Sequence, residues 1–445
     1  MNIADVFASC NASAKLDDLK LLTKDNWEEL YPYTTKDFER YEDFCDFVSS
    51  RGMKLDNFFF NTDLFYNTWY IDEVLFLEVS NLPKFRLEGM NKKFINGFKQ
   101  EQEDNVKNNE WTRFFFSLGQ TFQVDYFVKH YKEMPKKYQR EVLEWLYTSH
   151  DYALNTLDID VVKEVLPKGT ASKKLLKYAD SEGYLTVYRG STPKSTPIER
   201  AISYTLDLNV AIKFATKFYE QSPRVYKAKV HVDDVRLYTD DRSEQEVIVM
   251  YEDVKQLEDI KLFGYKDLKK IEDTFLNSTK YLFAINDRDG IHGVMHSKRM
   301  LMYLSLIAKH FKPKLTDAEF KMLELACIVH DLGREHDEED EEHGLYSVEE
   351  IDEALIDIFK LSEMQGEIVK LIVHYHCMDD EYGEQAIQNH PLIKSPKRAI
   401  ELFRLFKDID ALDRVRLGDL DANRLRYEVS RRVLGVNAMV YKYLK

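Results

Sequence analysis

The stretch ACIVHDLGREHDEEDEEHG, residues 326–344, decides how the C-terminal part of this 445-residue chain is read. Its apolar start continues a helix expected to open near Asp317, in which Phe320, Leu323, Cys327 and His330 fall at i, i+3, i+7 and i+10 and share a buried stripe. Asp331 lies beside that stripe, four residues after Cys327. Gly333 is the expected helix stop, which places a His-Asp pair in the last turn, at the edge of a core. An acid in such a place is destabilised by desolvation unless it is paired, hydrogen-bonded or bound to a cation. A divalent metal meets that requirement.

Other residues able to bind a metal surround this pair in the sequence. Nine of the chain's 12 histidines lie beyond position 290. His296 precedes Met300, Leu304 and Ile307 at helical spacing and faces inward, with His292 as the alternative. In IELFRLFKDIDALDRVRLG, Leu402, Phe403 and Phe406 form the apolar stripe and Asp410 follows Phe406 by four, with Asp408 and Asp413 as alternatives. A His on one helix, His-Asp on a second and Asp on a third give a mixed nitrogen and oxygen ligand set, which does not distinguish Mn, Fe, Ni, Co, Zn or Mg. His343 extends the site to a second metal or contacts a phosphate. His374 and His376 lie about 200° apart on a helix, so only one points inward, and His376 is preferred. One buried histidine alone reads as a hydrogen-bonded core residue. Several helices that each offer a ligand weaken that reading.

The order His296, His330-Asp331, Asp410, carried by GIHGVMHSKRM, IVHDLGRE and KDIDALDRVR, resembles the HD-domain superfamily of metal-dependent phosphohydrolases over about residues 286–430. The resemblance implies an all-helical fold and a divalent ion held by these four residues. The pattern RxxDxxDxxHGxxS, from Arg334 through Asp337, Asp340, His343 and Gly344 to Ser347, is similar to a subset of that superfamily. The ion would acidify a water and polarise a phosphoryl oxygen, with Asp331 in the catalytic centre and Arg299, Arg334 or Arg414 neutralising substrate charge.

Upstream, short β-like runs at 184–190, 224–232 and 246–251 frame NVAIKFATKFY, residues 209–219, where Val210, Phe214 and Phe218 share a helical face. This reads as a small α+β unit with three polar sites. They are Arg189 at a strand end, Ser203-Tyr204-Thr205 before the helix, and RSEQE at 242–246, where strand alternation would turn Glu244 and Glu246 to the same side. Taken singly, each is ordinary surface polarity. In this order they resemble the ADP-ribosyltransferase superfamily, over about residues 150–255. That resemblance implies NAD as a substrate, Arg189 on an NAD phosphate, Ser203 supporting the NAD-binding strands, Thr205 and Tyr204 among the NAD-binding residues, Glu246 on the nicotinamide ribose and Glu244 orienting or deprotonating an acceptor. A fixed carboxylate suits the oxocarbenium character that develops when nicotinamide leaves. Tyr204 replaces the small middle residue of the commoner triplet, and either stacks on nicotinamide or fills space.

Length and composition fit this division. A chain of this size exceeds one ordinary core. With 27 Phe and 27 Tyr against 16 Gly and 10 Pro, it is packed, with few long loops. The expected architecture is multidomain α+β: a mostly helical, aromatic-rich region of unknown role at 1–150, an ADP-ribosyltransferase-like α+β domain at 151–265, and an all-α HD-type domain at 280–445. Residues 255–280 are expected to bridge the last two. A net charge of -15 argues against a broad nucleic-acid surface, although nucleic acid stays open as a substrate. Cys10, Cys45, Cys327 and Cys377 are scattered and suggest neither a disulfide framework nor a zinc knuckle. The start of the chain lacks a signal-peptide pattern and no apolar run approaches a membrane span, which points to the cytoplasm or to delivery into another cell by a leaderless route. The two constellations together read as a bifunctional enzyme, an NAD-dependent ADP-ribosyltransferase acting on a protein or other acceptor, joined to a metal-dependent phosphohydrolase acting on a nucleotide, phosphate ester or ADP-ribosyl product. The alternative is the phosphohydrolase alone, with an inactive transferase-like domain that binds a nucleotide or a partner.

Overall fold

Aromatic runs expected to be helical near the N-terminus build a sheet instead. In the computed structural model, which describes residues 14–34, 36–64, 67–150, 157–217, 222–338 and 340–444, strands β1 (Lys20–Leu21), β2 (Phe58–Phe60), β3 (Thr68–Asp72) and β4 (Leu75–Glu78) pair antiparallel in chain order. Cys10 and Phe218 lie outside the described residues. Aromatic side chains suit a half-buried pleat, and in β2 the alternation sends Phe58 and Phe60 into the core while Phe59 stays half-buried. Glu73, in a left-handed conformation at φ 54°, turns β3 into β4. Helices α1 (Tyr41–Ser50), α2 (Lys92–Lys107), α3 (Gln123–His130) and α4 (Lys136–Ser149) belong to the same compact unit, Met1–Lys173 with Val235–Leu237. Trp27, Phe44, Phe58 and Phe60 are buried in one of its cores, so these aromatics are packing residues.

The second unit, Lys174–Asp234 with Tyr238–Lys445, holds the rest. Strands β5 (Tyr184–Ser191), β6 (Ser203–Thr205), β7 (Arg224–His231), β8 (Leu237–Thr239), β9 (Glu246–Ile248) and β10 (Lys255–Lys261) form a sheet in the order β10-β7-β5-β6-β9-β8. Residues 255–261, expected in a bridge, are therefore an edge strand paired with β7. Helix α5 (Leu208–Thr216) lies after β6 and buries Leu208, Ala211, Ile212 and Ala215. This corrects the expected face, because Phe214 is 43% exposed. A Cβ on Gly190 of β5 would overlap the Ala211 carbonyl oxygen, so glycine there lets α5 lie close against the sheet.

The helical part comprises α6 (Val294–Ala308), α7 (Asp317–Val329), α8 (His343–Glu349), α9 (Glu363–Tyr375) and α10 (Pro396–Leu412). Helix α7 opens where expected, because Thr316 and Glu319 form a reciprocal capping box, Thr316 Oγ1 accepting from the Glu319 amide at 3.2 Å and the Glu319 carboxylate from the Thr316 amide at 2.8 Å. Its end differs from the expectation. The helix stops at Val329, before the His-Asp pair, and Gly333 is no helix stop. A Cβ on Gly333 would overlap the Ser347 amide and Tyr346, so its role is to let the loop lie against α8. Leu208, Ala211, Ile212, Ala215 and Val225 of the sheet region share one apolar core with these helices. Among the described residues, no helix is long and apolar enough to cross a membrane.

Candidate metal centre

His330 and Asp331 leave the end of α7 buried, and four other histidines reach them from separate segments. His296 comes from the first turn of α6, His292 from the turn before it, His343 from the start of α8 and His376 from the end of α9. Asp331 sits between them with its two oxygens divided. Oδ2 lies 2.9 Å from His292 Nδ1, 3.3 Å from His330 Nε2 and 3.6 Å from His296 Nε2. Oδ1 lies 3.2 Å from His343 Nε2 and 3.7 Å from His376 Nε2. Asp410, from α10, brings Oδ1 to 3.3 Å from His296 Nε2 and 4.0 Å from His330 Nε2.

Tautomers explain why these groups suit cations. Carbonyl oxygens only accept, so the bonds from His343 Nδ1 to the Asp340 carbonyl and from His376 Nδ1 to the Val373 carbonyl at 2.7 Å place a proton on each Nδ1. In the neutral rings each Nε2 then carries a lone pair, and these two nitrogens face one another at 3.0 Å. On the other side of Asp331 one ring is fixed in the same way. His296 Nδ1 donates to the buried Asp413 carboxylate at 2.7 Å, and its Nε2 meets His330 Nε2 at 3.0 Å. His330 Nδ1 is buried without a partner, so no hydrogen bond commits that ring to either tautomer. Facing lone pairs in a buried site need a proton or a cation between them. The donor set fits divalent metals: His296, His330, Asp331 and Asp410 could hold one, and His343 and His376 with the other oxygen of Asp331 could hold a second.

Charges in the centre are coupled accordingly. Burial works against ionising Asp331, yet the neighbouring His330 and bonds from His292, His330 and His343 hold its carboxyl well below the usual range. Asp410 is likewise held low, against burial, by His296 and the nearby histidines. Burial works against the charged form of His296, but Asp410 and Asp413 raise its pKa above the ordinary imidazole value.

The other residues singled out in the sequence separate by role. Asp408 is buried and accepts from the backbone amides of Arg426 and Tyr427, both at 2.9 Å, so it secures a returning loop. Asp413 orients His296 and binds Arg299 at 2.6 Å, which leaves Arg299 buried and committed. Arg414 pairs with Asp419. Of the three expected cations only Arg334 approaches the centre, 3.5 Å from Asp331 Oδ1. Arg416 was missed: its guanidinium lies 3.3 Å from both Asp413 Oδ2 and His292 Nδ1. It sits in a short 3-10 segment beyond α10, where helical periodicity gives no signal. His374 stacks on its neighbour Tyr375. In the RxxDxxDxxHGxxS stretch, Asp340 caps the start of α8, and Ser347 Oγ accepts from the Gly333 amide at 2.8 Å. Asp337 is exposed.

Residues 293–415 match the HD domain family. The C-terminal helical region thus carries an HD domain, and the two faces of Asp331 lie inside it. Neither a curated protein nor a solved structure matches the chain. The HD match does not extend to residues 184–250.

In that sheet region the expected residues also meet. Ser203 Oγ donates to Glu246 Oε1, and Arg189 Nη1 donates to the Ser203 carbonyl at 2.7 Å. Strand pairing sets Thr205 opposite both Tyr188 and Glu246, and Thr205 Oγ1 donates to the Glu244 carbonyl at 2.5 Å. Glu244 and Glu246 do reach one group, Arg242, at 3.2 and 3.4 Å. Strand alternation is not the cause, because Ser243 and Gln245 are left-handed, at φ 55° and 44°, and β9 begins only at Glu246. Tyr204 fills space: it is 2% exposed, and burial pushes its hydroxyl up to about 12.

Proposed function

We propose that the HD domain is a metal-dependent phosphohydrolase acting on a nucleotide or another phosphate ester, in which His296, His330, Asp331 and Asp410 would hold one divalent cation and His343 and His376, on the other oxygen of Asp331, would hold a second. The observation that carries this reading is the pair of facing Nε2 couples, His296/His330 and His343/His376, on opposite oxygens of one buried carboxylate. Bound divalent ions would supply Lewis-acid polarisation of a phosphoryl oxygen and acidify a water. The chain's own residues do the rest. Asp413 and the carbonyls of Asp340 and Val373 fix the ring tautomers, so that three Nε2 atoms point inward without reorganisation. Arg334, beside Asp331, is placed to pair with a phosphoryl oxygen, whereas Arg416 is committed to Asp413.

A specific contact favours a second activity, NAD-dependent ADP-ribosyl transfer, in the sheet region. The hydroxyl of Ser203 holds Glu246, the residue that would stabilise positive charge on the ribose, while Arg189 holds the same strand. Glu244 would orient the acceptor. The competing reading is a transferase-like unit that binds a nucleotide or partner without turnover.

One set of proteins tests both. Wild type should retain divalent metal after gel filtration and release phosphate from a panel of nucleotides and phosphodiesters, whereas Asp331→Ala should lose the metal and at least a hundredfold of activity, on the order expected when a metal ligand is removed. Equal metal content in the two proteins overturns the phosphohydrolase reading. With labelled NAD and cell extract, wild type should transfer label and release nicotinamide and Glu246→Gln should not. Equal transfer by both removes the second activity.

A further inference from the structure

The two cation positions are not chemically alike. Cys377 follows His376 directly, is partly buried, and carries a free thiol. Its Sγ and one ring nitrogen each of His343 and His376 all lie within 4.8 Å of one another. Ligand atoms around one ion at metal–nitrogen and metal–sulfur distances of about 2.0–2.3 Å are separated by no more than about 4.5 Å, so small rotamer adjustments bring all three onto a common centre. Oδ1 of Asp331 faces the same histidines. On the far side of Asp331, by contrast, His296, His330 and Asp410 offer only nitrogen and oxygen.

Backbone packing sets the place of the sulfur. As a thiol it donates to the Glu341 carbonyl at 3.2 Å. Gly344, near the start of α8, has no side chain. A Cβ there would overlap the His374 carbonyl oxygen and lie 2.7 Å from that of Val373, so the start of α8 rests against the end of α9. The same close approach brings His343 to His376.

We infer that Cys377 is a ligand of the second cation position, with His343, His376 and Asp331 Oδ1, and that this position selects a thiophilic divalent ion of the zinc or cobalt type over magnesium or manganese. The inference rests on the two-cation reading above. On ligation the Sγ–H bond breaks, its proton leaves to solvent, and the sulfur keeps the electron pair that it donates to the ion. A thiolate favours softer ions, while carboxylate and water favour magnesium and manganese.

Cobalt(II) titration of the full chain, stripped with chelator, tests this by spectroscopy and without any substrate. Wild type should develop a sulfur-to-cobalt charge-transfer band in the near ultraviolet as the second equivalent binds. Cys377→Ser should abolish the band, keep the visible bands of the first position, and weaken zinc at the second position by roughly 10–100-fold. Cys327→Ser, which alters a thiol buried within α7, should keep the band. If cobalt binds to wild type without the band, or the band survives in Cys377→Ser, the thiolate assignment is overturned while the two-cation centre stands. If wild type binds no more cobalt than Asp331→Ala, the centre itself is absent and both readings fall.

Discussion

Three aspartates near the end of α10 show how finely a role depends on position. Asp410 faces the Nε2 atoms of His296 and His330, Asp413 holds His296 from behind, and Asp408 holds backbone. Replacing each by Asn should separate these roles. Asp410→Asn removes a ligand and should lose the metal of the first position. Asp413→Asn frees the His296 ring and leaves Arg299 buried without its carboxylate, so metal affinity should fall by roughly 10–100-fold and stability by about 3–5 kcal/mol. Asp408→Asn should lower stability and leave affinity unchanged. Calorimetric titration of the folded variants with zinc measures this, and a wild-type affinity in Asp413→Asn would sink the assignment of Asp413 to ring orientation. His296, His330 and Asp410 were legible because each lies in or next to a helix whose apolar stripe reports which side faces inward. Arg416 and Cys377 were not, because both follow the last helical turn, where periodicity stops, and only the fold brings them back to the centre.

At the level of elements, a long helical stripe reads well in its course and less well at its end, and short apolar runs do not read well at all. The apolar stripe from Phe320 to His330 put the start of α7 near Asp317, whereas β2, β3 and β4 are short aromatic runs whose spacing also fits a helix. Helix α7 also carries a group that its amphipathic pattern leaves unexplained. Glu324 sits beside the buried Leu323 and Leu325, and burial raises its carboxyl to about 7, only partly offset by a hydrogen bond with Ser278. The folded-state pKa lies above the unfolded one, so the stability linked to this proton is fully present below about pH 4.5 and is lost as pH rises through about 7. Glu324→Gln keeps the neutral form at every pH. It should leave stability nearly unchanged at about pH 5 and raise it by on the order of 1–3 kcal/mol at about pH 8.5. Urea unfolding of both proteins at the two pH values checks this, and an equal difference at both would mean that Glu324 does not titrate with folding.

On the scale of the whole molecule, the second unit couples a sheet to the helices of the candidate metal centre through one core. Leu208, Ala211, Ile212, Ala215 and Val225 pack with the helices that carry His296 and Asp410. Polar ties reinforce that core. Asn209 Nδ2 donates to Asp421 Oδ1 at 3.0 Å, the Ala422 amide donates to Asn209 Oδ1 at 2.7 Å, and the Phe263 amide donates to the Arg432 carbonyl at 2.7 Å. The loop that Asn209 holds follows directly on Asp413 and Arg416, so the sheet and the candidate metal centre should order in the same cooperative transition. A fragment of residues 280–445 would contain every proposed metal ligand but would expose the apolar surface that α5 and β7 cover, and each fully exposed Leu, Ile or Val loses about 1.5–3 kcal/mol of burial. Such a fragment should therefore unfold with low cooperativity, bind a hydrophobic dye and hold substoichiometric metal, while the full chain melts the sheet and the metal centre together. Thermal unfolding followed by far-ultraviolet circular dichroism and by cobalt absorbance decides between the two. Coincident curves in the full chain support the shared core, and a fragment that binds its full complement of cobalt and melts as sharply as the full chain would show that the helices need no sheet.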